Sequence, residues 1–201
     1  MFRWLLLLLF VLSLGCLAES VNLPSNTPIS PPKAQSLATQ NLYANFFSYP
    51  QELRKAAMGT RAGQPLLVKW LDSHSAYYYI VPFYRNSKAS LLVSIDAFTG
   101  ELQEVTQTRT PAPYPKVNAV TARQLLKKDL QLHKEWQDLQ ILVQQAPSLV
   151  WKLCQQSFDP FDPFWQFQSK SRVRYVGQDG QVYKTLDDPL LKGGGFPSGL
   201  Q

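Results

Sequence analysis

Two histidines, two cysteines and the aspartates of Phe158-Asp-Pro-Phe-Asp-Pro163 are the residues whose types could carry chemistry in this chain. His74 lies in Ser73-His74-Ser75, and His133 precedes Lys134 and Glu135. Neither has a Cys, His or Glu at the spacing that brings several metal donors together. No G-x-S-x-G elbow surrounds a serine. The triplet Gly193-Gly194-Gly195 runs into Phe196-Pro197, without the strand and helix that flank a phosphate-cradling loop. Asp159 and Asp162 are three positions apart, as glycoside-cleaving carboxylates could be. Both precede proline, which favours extended or turn geometry. No catalytic, metal-binding or cofactor-binding residue is assigned, and the chain is expected to be non-enzymatic and cofactor-free.

The cysteines lead to an address. Arg3 precedes an apolar run from Trp4 to Leu14, and Gly15 stands directly before Cys16. A charged start, a short apolar run and a small-residue zone make a secretory signal. The run is shorter than the ~20 apolar residues of a membrane span. Leu12-Ser-Leu-Gly-Cys16 resembles the lipobox of bacterial lipoproteins, with Ser13 and Leu14 in the reverse of the usual order. That resemblance implies lipid attachment at Cys16 and an anchored protein facing the periplasm or cell exterior. Cleavage after Ala18, giving a secreted chain, is the alternative, and an uncleaved anchor a third. Cys154 is then left without an intramolecular partner, so no disulfide framework forms. Its setting, Leu149-Val-Trp-Lys-Leu-Cys154, reads as a buried small hydrophobe.

The net charge is +6. The basic residues are dispersed, with Lys127-Lys128 and Lys170-Ser-Arg-Val-Arg174 the densest spots. On a strand, Lys170, Arg172 and Arg174 share one face and Val173 and Tyr175 the other. The basic face reads as solvated, and an anionic envelope surface is its natural attractor. Nucleic acid is not expected as a partner outside the cytoplasm.

The elements that must position these residues fall into two similar halves. The expected boundaries are a signal over 1–16, a Ser/Pro-rich tether over 17–33, a first unit over 34–107, a Pro-rich linker over 108–116, a second unit over 117–191 and a disordered tail over 192–201. Pro65–Trp70, Tyr77–Phe83 and Leu91–Val105 read as strands, and Pro147–Lys152, Pro163–Phe167 and Arg172–Leu186 repeat that order. Helices are expected over Gln35–Phe47, with Ala38, Leu42 and Phe46 at helical spacing, and over Pro50–Met58, ended by Gly59. Thr121 reads as an N-cap for a helix over Ala122–Leu130. Leu139-Gln-Ile-Leu-Val143 is apolar and β-branched and reads as a strand. The fold class is α+β, with two tandem helix-plus-antiparallel-sheet units.

Turn chemistry supports the repeat. In Ile95-Asp-Ala-Phe-Thr-Gly-Glu101, Asp96 can accept backbone hydrogen bonds and Gly100 can take the positive φ that closes a hairpin. Asp179-Gly180 repeats the device. Tyr79-Ile-Val-Pro-Phe83, the turn at Asn86-Ser-Lys88 and Val93–Val105 together resemble the PepSY domain, a small module of exported bacterial proteins and protease propeptides. Thr121-Ala-Arg-Gln-Leu-Leu126 resembles that family's helix opening, whereas Val176-Gly-Gln-Asp-Gly180 keeps the turn without the signature. The resemblance covers 65–105 and, less closely, 121–186. It implies a protein-binding or peptidase-modulating envelope module. An extracytoplasmic small-ligand or cell-wall binder is the alternative, favoured by a pocket lined with Tyr77, Tyr79 and Trp165. The candidate partner-binding residues are Phe158, Phe161, Phe164 and Trp165, on a proline-stiffened insertion. Exposed aromatics are costly unless they pack or bind.

Overall fold

The computed structural model describes residues 27–72 and 76–189. The signal run, Cys16, the tether as far as residue 26, His74 and the tail from 192 lie outside them. The described chain is α+β, with four helices and nine strands in one sheet. Helices α1 (Pro31–Ala44) and α2 (Gln51–Ala57) come first. Five strands follow: β1 (Arg61–Ala62), β2 (Leu66–Trp70), β3 (Tyr77–Arg85), β4 (Lys88–Asp96) and β5 (Leu102–Ala112). The second half repeats the order with α3 (Ala119–Leu132), α4 (Trp136–Leu142), β6 (Ser148–Trp151), β7 (Phe164–Ser169), β8 (Arg172–Val176) and β9 (Val182–Tyr183).

The sheet runs β5-β4-β3-β2-β6-β7-β8-β9, with β1 added beside β3. All pairs are antiparallel except β2 and β6, which are parallel with Val68 opposite Leu149 and Trp70 opposite Trp151. A mirrored order around a parallel central pair is what a two-fold axis lying along the strands produces. Such an axis also exchanges the faces of the sheet. Accordingly, α1 and α2 pack with Tyr79, Val81, Phe83, Leu91, Val93 and Ile95 on one face. Helices α3 and α4 pack with Val68, Leu149, Trp165, Phe167 and Val176 on the other.

This arrangement explains the unbroken apolar run of β3. Tyr78 to Phe83 are buried at every position, because odd residues meet α1 and α2 while even ones belong to the opposite core. Each large apolar side chain so buried contributes about 1.5–3 kcal/mol. The β3–β4 connection places Asn86 at φ 50° and Ser87 at φ 63°, the left-handed pair of a tight hairpin.

Several sequence expectations are corrected. Leu139–Val143 is not a strand: Trp136–Leu142 forms α4, whose Leu142 is fully buried and whose Leu139 packs on the same core. Three-residue spacing puts both on one helical face. The cap of α3 is Asn118, whose side chain accepts from the Thr121 amide at 2.9 Å; Thr121 lies inside the helix. Residues 108–112, assigned to a linker, are the end of β5.

Candidate functional site

One open concavity among the described residues lies on the face that carries α3 and α4, but over the first half of the sheet. It is a cleft of about 610 Å³. Leu92 and Ala89 of β4 form its floor, and Thr106, Thr108 and Arg109 of β5 one wall. The opposite wall is Tyr114, Lys116, Asp159, Phe161 and Asp162. Both halves of the chain therefore build it.

Hydrogen bonds between distant segments fix that wall. The Tyr78 hydroxyl donates to the Pro160 carbonyl at 2.7 Å, and Tyr114 to the Phe161 carbonyl at 2.8 Å. Tyr84 donates to the Tyr114 carbonyl at 2.7 Å, and the Trp165 indole to the Val117 carbonyl at 2.7 Å. Burial, with Asp159 and Glu104 adding to it, pushes the Tyr78 phenol far up; burial also raises those of Tyr84 and Tyr114. These hydroxyls are structural donors, and none is poised to lose a proton.

The aspartates at the cleft have local partners. Asp159 Oδ1 accepts from the Phe161 amide at 2.8 Å, closing the loop on itself. Asp162 pairs with Lys116 at 3.3 Å. Glu104, on β5, has its carboxyl raised above the usual range, first by burial and then by the Asp159 charge. What the cleft offers is an apolar floor, threonine hydroxyls, and charges of both signs. Its wall strand, β5, is eleven residues long and ends the sheet, so its outer edge has no strand partner among the described residues.

The structure separates the four aromatic candidates. Phe161, Phe164 and Trp165 are buried, at 2%, 1% and 9% exposure, and only Phe158 stands in solvent at 67%. Phe161, Phe164 and Trp165 therefore pack on the core, and of the four candidates Phe158 is the ring available to a partner. The expected pocket of Tyr77, Tyr79 and Trp165 does not form either. Tyr77 and Tyr79 belong to the α1–α2 core and Trp165 to the opposite one.

The other candidates sit where local chemistry puts them. Asp96 Oδ1 accepts from the Phe98 and Thr99 amides at 2.8 Å each, and Gly100 has φ 77°. Asp179 accepts from the Gln181 amide at 3.0 Å, and Gly180 has φ 82°. Cys154 is fully buried and unpaired. His133 caps the end of α3, more than half exposed.

Lys170 lies exposed in the β7–β8 turn, outside β8, but Arg172 and Arg174 are not left to solvent as expected. Arg172 donates to Asp138 and Gln137, and Arg174 donates to Glu135 and to Asp138 at 2.6 Å. Lys184 also reaches Glu135, whose carboxyl is held below the usual range by the hydrogen bonds from Lys184 and Arg174. The sequence does not show this network because Leu139–Val143 reads as a strand, which leaves Asp138 without a helix to carry it over β8 behind its N-cap residue Glu135.

Among the described residues no helix is long and apolar enough to cross a membrane, and no group of three or more His, Cys, Asp or Glu could hold a metal ion. Compared with models of known protein families and with curated proteins, the chain matches none.

Proposed function

We propose that this chain is a non-enzymatic envelope protein that binds an extended segment of another envelope protein along the free edge of β5. In this reading the chain is exported and held at the membrane through Cys16, or secreted after cleavage at Ala18. Its two halves are PepSY-like units joined edge to edge through β2 and β6. The repeated order of two helices and antiparallel strands, and the paired Asp-Gly turns, support that view.

The observation that carries the function is the unpaired eleven-residue edge of β5 beside an open cleft. An exposed edge presents a row of backbone donors and acceptors that an added strand satisfies. Leu92 on the floor and Thr106 and Thr108 on the wall would then receive alternate side chains. The second reading, a small-ligand binder, is favoured by the cleft volume, which falls within the range of ligand pockets.

A peptide-display selection on the full chain tests both. Selected peptides should slow amide hydrogen exchange across 102–112, and Thr106→Trp, which fills the cleft, should abolish binding without lowering the melting temperature. Binders that protect other segments, or none selected, would overturn the edge-strand reading. Small cell-wall fragments that shift cleft resonances but leave the β5 edge amides unprotected would establish the alternative.

A further inference from the structure

The connection between α1 and α2 leaves an aromatic corner in water. Phe47 is 86% exposed, Tyr43 43% and the nearby Met58 61%. The rings are mutually organised: Tyr43 stacks on Phe46 with centroids 6.1 Å apart, and Phe46 meets Phe47 edge-on at 5.6 Å. Among the large hydrophobic side chains described, Phe47 is the most exposed.

Arg54 stands at this corner, and further cations lie toward the other end of α2. Arg54 donates to the Phe47 carbonyl at 3.3 Å, and Arg85 donates to the carbonyls of Lys55, Ala56 and Met58. Lys88 lies directly opposite Arg85 across the β3–β4 hairpin, and Arg61 opposite Tyr84. None of these cations makes an ion pair; every ion pair among the described residues lies between 116 and 188. Glu52 is the one acid on α2.

We infer that this corner docks on an anionic lipid bilayer, with Phe47, Tyr43 and Met58 entering the headgroup region and Arg54, Lys55, Arg85 and Lys88 facing the lipid phosphates. Aromatic and apolar tips with flanking basic residues suit the membrane–water interface. Unpaired cations give a complementarity to an anionic surface that a neutral or basic one would lack. The chain length permits it. Helix α1 carries the corner roughly 21 Å from Pro31, while residues 16–26 can reach roughly 36–40 Å when extended. A lipid on Cys16 inserted in a leaflet, the anchor of the proposed function, can therefore share that leaflet with the corner.

The test is amide hydrogen exchange of the full chain mixed with phosphatidylcholine vesicles, and with vesicles of equal parts phosphatidylcholine and phosphatidylglycerol. The comparison separates docking from insertion of the lipid on Cys16, which both vesicles allow. Exchange over 43–49 and 55–58 should slow about ten-fold on the anionic vesicles alone, since each basic residue near the surface favours docking about five-fold. Phe47→Ser, and separately Lys55→Glu with Lys88→Glu, should return that exchange to the rate on neutral vesicles with the melting temperature unchanged. Equal exchange on both vesicles, or protection centred on Lys127 and Lys128 instead, would overturn the inference. Protection that follows protein concentration without lipid would assign the corner to a second copy of the chain and equally overturn it.

Discussion

The corner between α1 and α2 and the corner between α3 and α4 are topological equivalents with opposite electrostatic solutions. In the second half, Glu135 and Asp138 turn inward and neutralise Arg172, Arg174 and Lys184, although Trp136 beside them is 55% exposed. In the first half no carboxylate turns toward Arg54, Arg85 or Lys88, and the arginines instead tie down backbone carbonyls. Similar connectivity thus supports one self-satisfied surface and one surface with charge to spare. The halves also differ in the link between their first two long strands. Between β6 and β7 it is the proline-stiffened insertion, which crosses to cover the first half and makes the cleft asymmetric.

The insertion gives the largest expected effect. Phe161→Ala should lower stability by about 3–5 kcal/mol, the usual result of emptying a buried aromatic site. Phe158→Ala on the same loop should change it by less than about 0.5 kcal/mol, because that ring is exposed. Urea denaturation of both variants checks this, and equal effects would mean that the loop is not a lid.

Removing Asp138 comes next. Asp138→Ala leaves Arg174 with one carboxylate and Arg172 with none, in a setting where the Arg174 and Asp138 side chains are each 12% exposed. Breaking such a pair should cost about 3 kcal/mol. Glu52→Ala in the first half should be close to neutral, and a comparable loss there would refute the electrostatic contrast.

The two hairpin glycines sharpen the comparison further. Both have positive φ, so alanine at either adds strain of about 1 kcal/mol. At Gly100 the new methyl also collides with the Leu37 side chain, whereas at Gly180 its nearest neighbour is Leu125 Cδ1 at 3.8 Å. Gly100→Ala should therefore cost about 2–3 kcal/mol and Gly180→Ala about 1 kcal/mol. Thermal melts of the pair decide it.

The smallest effect is on pH dependence, and it has opposite signs in the two halves. Glu135 has a lowered carboxyl, so its contribution is full above the ordinary glutamate value near ~4.3 and is lost as pH falls through its folded value. Glu104 has a raised carboxyl, so its unfavourable contribution is absent in acid and grows as pH rises through the ordinary value toward its folded one. Denaturant midpoints measured against pH should show a flatter acid limb for Glu135→Gln. For Glu104→Gln they should show a small gain confined to the less acidic side.

What the sequence determined by itself was local. The α+β class, the strands 65–70, 77–83, 147–152 and 163–167, and the hairpin roles of Asp96, Gly100, Asp179 and Gly180 follow from period, turn chemistry and φ preference within a few residues. Nonlocal features were settled by packing across the chain. Leu139–Val143 is a short apolar run that either a helix or a strand could use. It became helix α4 because Leu139 and Leu142 meet the core on one face while Asp138 meets Arg172 and Arg174, 34 and 36 positions away. The aromatics of 158–165 were equally ambiguous, and their burial depends on Tyr78, 82 positions from Pro160. The parallel pairing of β2 with β6, and with it the exchange of faces that leaves one corner paired and the other free, is set by packing between halves. Neither half's residues encode it alone.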